Sequence, residues 1–272
     1  MKAIGSLVIA VALLVAFPIC ARADTIEKDT TFSGVRIIRG TLYVNKGVTL
    51  TIEPGSAVIF TEAQPDAEGL AQCGMVVKGN IVAKGLPAKR ILFSTAKAKP
   101  GPGNWGEIKV FESAGSAFVN CDFRYGGWGL HVHDSDLKID GCTFVHNSFG
   151  GVRMKGGNVE ITRSLFLGME IGVRYWKSTP KIHHNVIADN QVGVFCREGG
   201  AGSAVNYNDI WNNSEYDVKL GDAQKEDVDF TNNWWGQTDL AAIKDKIFDH
   251  AREDYIGRAL IEPTLKEKVV IN

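Results

Sequence analysis

A period of about 22 residues, short strands that alternate apolar and polar residues, and glycines at the breaks between them predict an all-β chain. The expected architecture is a right-handed parallel β-helix of about nine coils of ~22 residues, closed by a C-terminal α-helical cap. One block carries the period in six copies: FVNCDF ending at Phe123, IDGCTF at Phe144, ITRSLF at Phe166, IHHNVI at Ile187, VNYNDI at Ile210 and FTNNWW at Trp235. A second block follows the first five: GLHV at Gly129, GVRM at Gly151, GVRY at Gly172, GVFC at Gly193 and DVKL at Asp217. The 30 glycines against 8 prolines suit a fold of many tight turns between short strands.

At the N-terminus, Lys2 precedes an apolar run from Ile4 to Phe17 that is short for a spanning helix. Ala21-Arg22-Ala23 then supplies an A-x-A cleavage pattern, so residues 1–23 are expected to be a signal peptide cut before Asp24. The mature chain is expected to be exported, periplasmic or extracellular. A competing reading makes Cys20 a lipid-attachment site, although Pro18 and Ile19 stand where small residues are usual. No later stretch reaches the roughly 18 apolar residues of a membrane span.

Residues 24–236 are assigned to the β-helix, with 24–40 as an irregular or strand cap. The upstream segments Thr41 to Phe60, Met75 to Gly85 and Arg90 to Thr95 alternate apolar and polar residues and break at Gly and Pro. Residues 237–272 are assigned to the C-terminal cap. Leu240, Ile243, Ile247, Phe248 and Ala251 recur at helical spacing and predict a helix over about 238–253, followed by an extended segment.

One coil cannot bury its own apolar residues, so equivalent positions must stack at ~4.8 Å. Phe123, Phe144, Phe166, Ile187, Ile210 and Trp235 are expected in one interior column, and Leu130, Val152, Val173, Val194 and Val218 in another. The fourth letter of the first block, Cys121, Cys142, Ser164, Asn185, Asn208 and Asn233, marks a tight bend where amides can bond from coil to coil and tolerate unusual dihedrals. Cys121 and Cys142 fall within reach of a disulfide, but side-chain direction decides, and stacked free thiols serve equally well.

The segments GVTLTIEPGSAVIF, VKGNIVAKG, NWGEI at Asn104 to Ile108, and NNWWG followed by a helix and EPTL resemble bacterial right-handed parallel β-helix repeat proteins of the pectin-lyase-like superfamily. The resemblance spans almost the whole mature chain. It implies the fold strongly and the activity weakly, because such folds carry lyases, hydrolases, adhesins and members without known activity.

Alternation in the second block sends two rows outward: His131, Arg153, Arg174, Phe195, Lys219, and His133, Lys155, Trp176, Arg197. The net charge is only −1, which gives no reason to expect nucleic acid and makes a local basic stripe informative. Guanidinium and ammonium groups with an interleaved indole suit an anionic polysaccharide, and in terms of the resemblance this is the sheet on which pectate-lyase-like enzymes carry their groove. The leading expectation is therefore non-catalytic binding of an extracellular or envelope polysaccharide, with no cofactor.

A lyase on the same face is the alternative, with Arg153 or Arg174 as base and calcium on Asp134 and Asp136, and a scaffold without glycan ligand is a third reading. The Asp-Asp and Gly-His-Gly elements of the superfamily's hydrolases are missing. His131, His133 and Asp134 are weak candidates for metal ligands. His183 and His184 are expected on opposite faces of one strand, where they could not share an ion.

Overall fold

Each coil repeats the same local logic, in which a strand of alternating residues buries every second side chain and then meets a sharp corner. In the computed structural model, which describes residues 24–61 and 64–270, these strands stack into three parallel sheets. Sheets 1 and 2 have ten strands each and sheet 3 has eight. The expected signal peptide and Cys20 lie outside the described residues.

A representative coil runs from Gly150–Lys155 in sheet 1 through Val159–Thr162 in sheet 2 to Leu165–Leu167 in sheet 3, and then enters the next coil at Ile171–Trp176. Both predicted columns are present. Phe144 pairs with Phe166 across the third sheet, and their rings stack at 4.8 Å and 4°. Phe93 and Phe123 extend that stack upward, at 4.8 Å from each other and 4.6 Å from Phe123 to Phe144. Leu130, Val152, Val173, Val194 and Val218 lie in register and fully buried, and Ile247 continues their column.

Most corners of the later coils use the same device, a residue in the left-handed region followed by a small or amide residue that bonds along the axis. Between sheets 2 and 3 the left-handed positions are Asn120, Gly141, Arg163, His184, Tyr207 and Asn232. They precede the ladder residues rather than coincide with them, which corrects the expectation that the ladder asparagines themselves adopt unusual dihedrals. Asn185 Nδ2 donates to Asn208 Oδ1 at 2.9 Å, and Asn208 Nδ2 donates to Asn233 Oδ1 at 3.1 Å. A second ladder, which the repeat alignment did not single out, joins Asn147, Met169, Asn190 and Asn213 at the corner between sheets 3 and 1. Asp217 terminates it by accepting from Asn213 Nδ2 at 2.7 Å, and burial pushes the Asp217 carboxyl up to about 6 against these hydrogen bonds.

All four cysteines among the described residues are free. The Cys121 and Cys142 thiols turn instead to backbone carbonyls, those of Ala83 and Val119 for Cys121 and of Phe118 and Asp140 for Cys142.

The C-terminal helix is present but short: α1 is Leu240–Asp245, not the whole of 238–253. Its N-cap Asp239 accepts from Ala241 N, and Ile243 is its buried residue. Beyond it, Ile247–Phe248 adds a strand to sheet 1 and Ala259–Leu260 adds one to sheet 2. The unpaired edges of the last coil take these residues because an open edge leaves a row of unmet N–H and C=O groups. Asp249 makes the intervening turn, accepting from Ala251 N and Ala259 N. No helix among the described residues is long and apolar enough to cross a membrane.

Candidate functional site on the outer face of sheet 1

The outward rows of sheet 1 exist because the strands stay in register through successive coils. His131 pairs with Arg153, Arg153 with Arg174, Arg174 with Phe195, and Phe195 with Lys219. Lys109 extends this row upward beside His131. In the second row His133 pairs with Lys155, and Lys155 with Trp176. The expected next member, Arg197, is displaced: a register shift between Tyr175 and Trp176 sets Trp176 opposite Glu198. Arg197 nevertheless lies over the Trp176 ring at 4.5 Å, and Lys155 lies over it at 4.7 Å from the preceding coil. The indole Nε1 donates to Glu198 Oε2 at 2.7 Å, so Trp176 is committed to neighbours at its edge and across its ring.

A column of glycines makes this face possible. A Cβ at Gly151 would lie 2.5 Å from Phe166 Cδ1 and 2.7 Å from the Gly172 carbonyl oxygen, so no larger residue fits between the aromatic stack and the next coil. The register of the flanking residues aligns Gly129, Gly151, Gly172 and Gly193 with an acid at either end, Glu107 above and Asp217 below. Repeat reasoning passed over Glu107, because NWGEI lies upstream of the repeated blocks.

Glu107 is 4% exposed, and it organises the upper half of the face. Arg153 reaches across the intervening coil to meet it, with Nη2 at 2.9 and 2.8 Å from the two carboxylate oxygens and Nε at 3.1 Å from Oε2. Lys109 Nζ stands 3.1 Å from Oε1, and His131 Nδ1 stands 3.3 Å from it. His131 Nε2 meets His133 Nε2 at 2.6 Å, and His133 stacks on Phe111 at 4.9 Å. Burial alone would raise the Glu107 carboxyl, but the hydrogen bond and charge of His131 with the charges of Arg153 and Lys109 hold it down at about 2. Burial lowers His131, and burial with the adjacent cations lowers His133 to about 4, so both rings are neutral near pH 7. The charges that hold Glu107 down at that pH are therefore those of Arg153 and Lys109.

The lower half of the face is different. Arg174 makes no hydrogen bond or ion pair with any described residue, and its guanidinium lies over the Phe195 ring at 5.3 Å. Burial and then the charges of Arg197 and Arg153 lower its pKa, the mark of a partly desolvated cation among like charges. Lys219 is held between the Tyr216 and Phe248 rings and pairs with Glu215 at 3.8 Å.

One side of the face is bounded by an apolar ridge of Leu70, Trp128, Ile171 and Val192, with Phe149 and Phe195 against it. Trp128 is 4% exposed under Arg153, so it packs rather than extending a groove. Above the ridge, a cleft of about 310 Å³ opens beside Glu107 and Lys109, lined by Tyr43, Asp66 and Gln72 among others. Trp105 stacks on Phe60 at 4.4 Å and is fully buried. Asp134 holds a left-handed corner position, and Asp136 accepts from Asn158 N and Nδ2, so both serve turns.

Residues 106–239 match the family described as right handed beta helix region. The chain has the fold of a right-handed parallel β-helix. No curated protein and no solved structure matches it. For this β-helix protein, the family match covers the coils that carry the outer rows and stops short of the cap.

Proposed function

We propose that this β-helix protein binds an anionic linear polysaccharide, extracellular or of a cell envelope, along the outer face of sheet 1, without cleaving it. The observation that carries the reading is Arg174, a half-buried cation that forms no hydrogen bond or ion pair with a described residue and feels the like charges of Arg197 and Arg153 more strongly than the opposite charge of Glu170. A carboxylate or sulfate arriving there relieves like-charge repulsion and satisfies guanidinium donors in one step. Cations one coil apart, at ~4.8 Å along the axis, favour a ligand that carries charge repeatedly rather than once.

The test is affinity electrophoresis and calorimetry on a panel of uronate and sulfated polymers, at low and high salt. The wild type binds a member of the panel, salt weakens binding because exposed charges are screened over roughly 10 Å at 0.1 M, and Arg174→Ala lowers affinity about tenfold. Equal binding by wild type and Arg174→Ala removes the site, and no binding anywhere in the panel leaves the scaffold reading.

One observation favours a lyase as the second reading, the chain of contacts from Glu107 through His131 to His133. Arg153 is a poor base there, since its guanidinium is bound to Glu107. His133 is unprotonated near pH 7 and can take a proton, although the burial and charges that lower it to about 4 make it a weak base. Incubating the polymers with protein and calcium and following the ultraviolet absorbance of unsaturated product decides the matter: a flat trace excludes the lyase. A rising trace that His133→Gln leaves unchanged excludes this base.

A further inference from the structure

The corner between sheets 2 and 3 carries a second histidine pair, and its geometry reverses what strand alternation predicts. His183 ends the strand Lys181–His183, but His184 is the left-handed corner residue, with φ of 58°. The left-handed turn swings the second ring to the side of the first. Their Nδ1 atoms stand 2.9 Å apart, a hydrogen bond in which one ring N–H donates to the other ring's lone pair and whose proton a metal ion would replace, with the rings crossed at 84°. Both side chains are half-buried and meet a shallow depression of about 440 Å³.

We propose that His183 and His184 chelate one divalent transition-metal ion, copper(II) before others, through their two Nδ1 atoms. Two nitrogens 2.9 Å apart, each ~2.0 Å from an ion, subtend about 90° there. That is the cis angle of a tetragonal copper(II) or nickel(II) site, whereas a tetrahedral zinc site spreads its nitrogens to about 3.3 Å. Imidazole ligands and the usual order of divalent affinities then favour copper.

The second contact that points the same way is Glu160. Its Oε1 lies 3.6 Å from His183 Nε2, one coil above. At that distance the carboxylate makes no hydrogen bond, but its charge favours the proton on the outer nitrogen and so leaves the Nδ1 lone pair for a metal. His184 rests on the Tyr207 ring of the next coil at 5.9 Å, which limits its rotation. The nearest cations, Arg163 and Lys138, share the Asp140 carboxylate at 2.6 and 3.5 Å, which offsets one of their two charges, and Glu160 faces the pair from the other side. By contrast, the His131 and His133 pair is ringed by Lys109, Arg153 and Lys155, and its one acid is saturated, so a cation is repelled there. Among the described residues no cluster of three or more His, Cys, Asp or Glu has metal-holding geometry. The site therefore offers two protein ligands and leaves the remaining positions to water or another small ligand, which makes its ion exchangeable.

The experiment is titration of the chain, made without a histidine tag, with copper(II) alone, followed by calorimetry and electron paramagnetic resonance. One equivalent is expected to bind with an axial spectrum split by two nitrogens. His184→Asn keeps a residue that tolerates the left-handed turn, and both it and His183→Gln are expected to weaken binding tenfold or more with the circular dichroism unchanged. Glu160→Gln is expected to weaken it about tenfold, and His131→Gln/His133→Gln to leave it alone. Failure of the wild type to bind a stoichiometric ion, an unchanged spectrum in His183→Gln/His184→Asn, or loss of the ion in His131→Gln/His133→Gln each overturns the proposal. None of these outcomes depends on whether the outer face of sheet 1 binds a polysaccharide.

Discussion

Glu107 shows how one carboxylate can set the charge of a whole surface. Its pKa is depressed to about 2 from an ordinary 4.5, so the stability it contributes is fully present above about pH 4.5 and is lost as pH falls toward 2. The neutral histidines act earlier. His133 is lowered to about 4 and His131 is lowered as well, so the unfolded chain takes up protons at these rings before the folded one as pH falls from about 6.5 to 4, and their contribution to stability declines over that window. Asp217, raised to about 6, works the other way over the same window, so in an Asp217→Asn background urea midpoints measured against pH should fall in two stages. His131→Gln/His133→Gln should flatten the upper stage and Glu107→Gln the lower one, the latter costing about 1–3 kcal/mol near neutrality because Arg153 is left partly buried without its acid. The cations of this face were legible because they alternate with interior residues whose period is obvious. Their acid was not, since it falls outside the repeating blocks and meets Arg153 only through the folded stack. Arg197 was misplaced by one position for a related reason: periodicity cannot reveal a register shift confined to a single strand.

At the scale of the element, corners decide more than strands. Asn208 is fully buried and bonds to Asn233, Ile182 and Asn206, while Asn185 N donates to its Oδ1. Asn208→Ala should cost about 3 kcal/mol, because several buried polar groups lose a partner at once. Asn212→Ala, at an exposed left-handed corner bonded to Asp189, should cost about 1 kcal/mol, since alanine tolerates that turn less well. Chemical denaturation of the two variants side by side checks the contrast. Phe144→Ala should cost about 3–5 kcal/mol by opening a cavity between Phe123 and Phe166. The interior columns and the first asparagine ladder were readable from letters one period apart. The second ladder was equally present in the letters at Asn147, Asn190 and Asn213, but Met169 interrupts it and conceals the pattern. The end of α1 was not readable, because helical spacing and strand pairing both accept Ile247, and the open edge of sheet 1 settles the competition.

For the molecule as a whole, each coil touches chiefly its neighbours, so the two ends bear the problem that interior coils do not have. The segment from Ile247 to Leu260 pairs with the last strands of sheets 1 and 2. Removing residues 238–272 should expose those edges and drive end-to-end association. Light scattering after size-exclusion chromatography should then show species larger than the intact chain, and an unchanged mass would mean that the last coil protects itself.

The equal rungs also make length an adjustable property. Residues 150–170 form one complete turn whose start, Gly150, stands in register with Ile171 at the start of the next. Duplicating that stretch in tandem should splice in an additional storey ~4.8 Å tall. It would bring a further copy of Arg153 and Lys155 into the outer rows while both caps keep their own partners. Such a protein would be a ruler with one more graduation, and its grip on a charged chain could be measured against the number of sugars spanned.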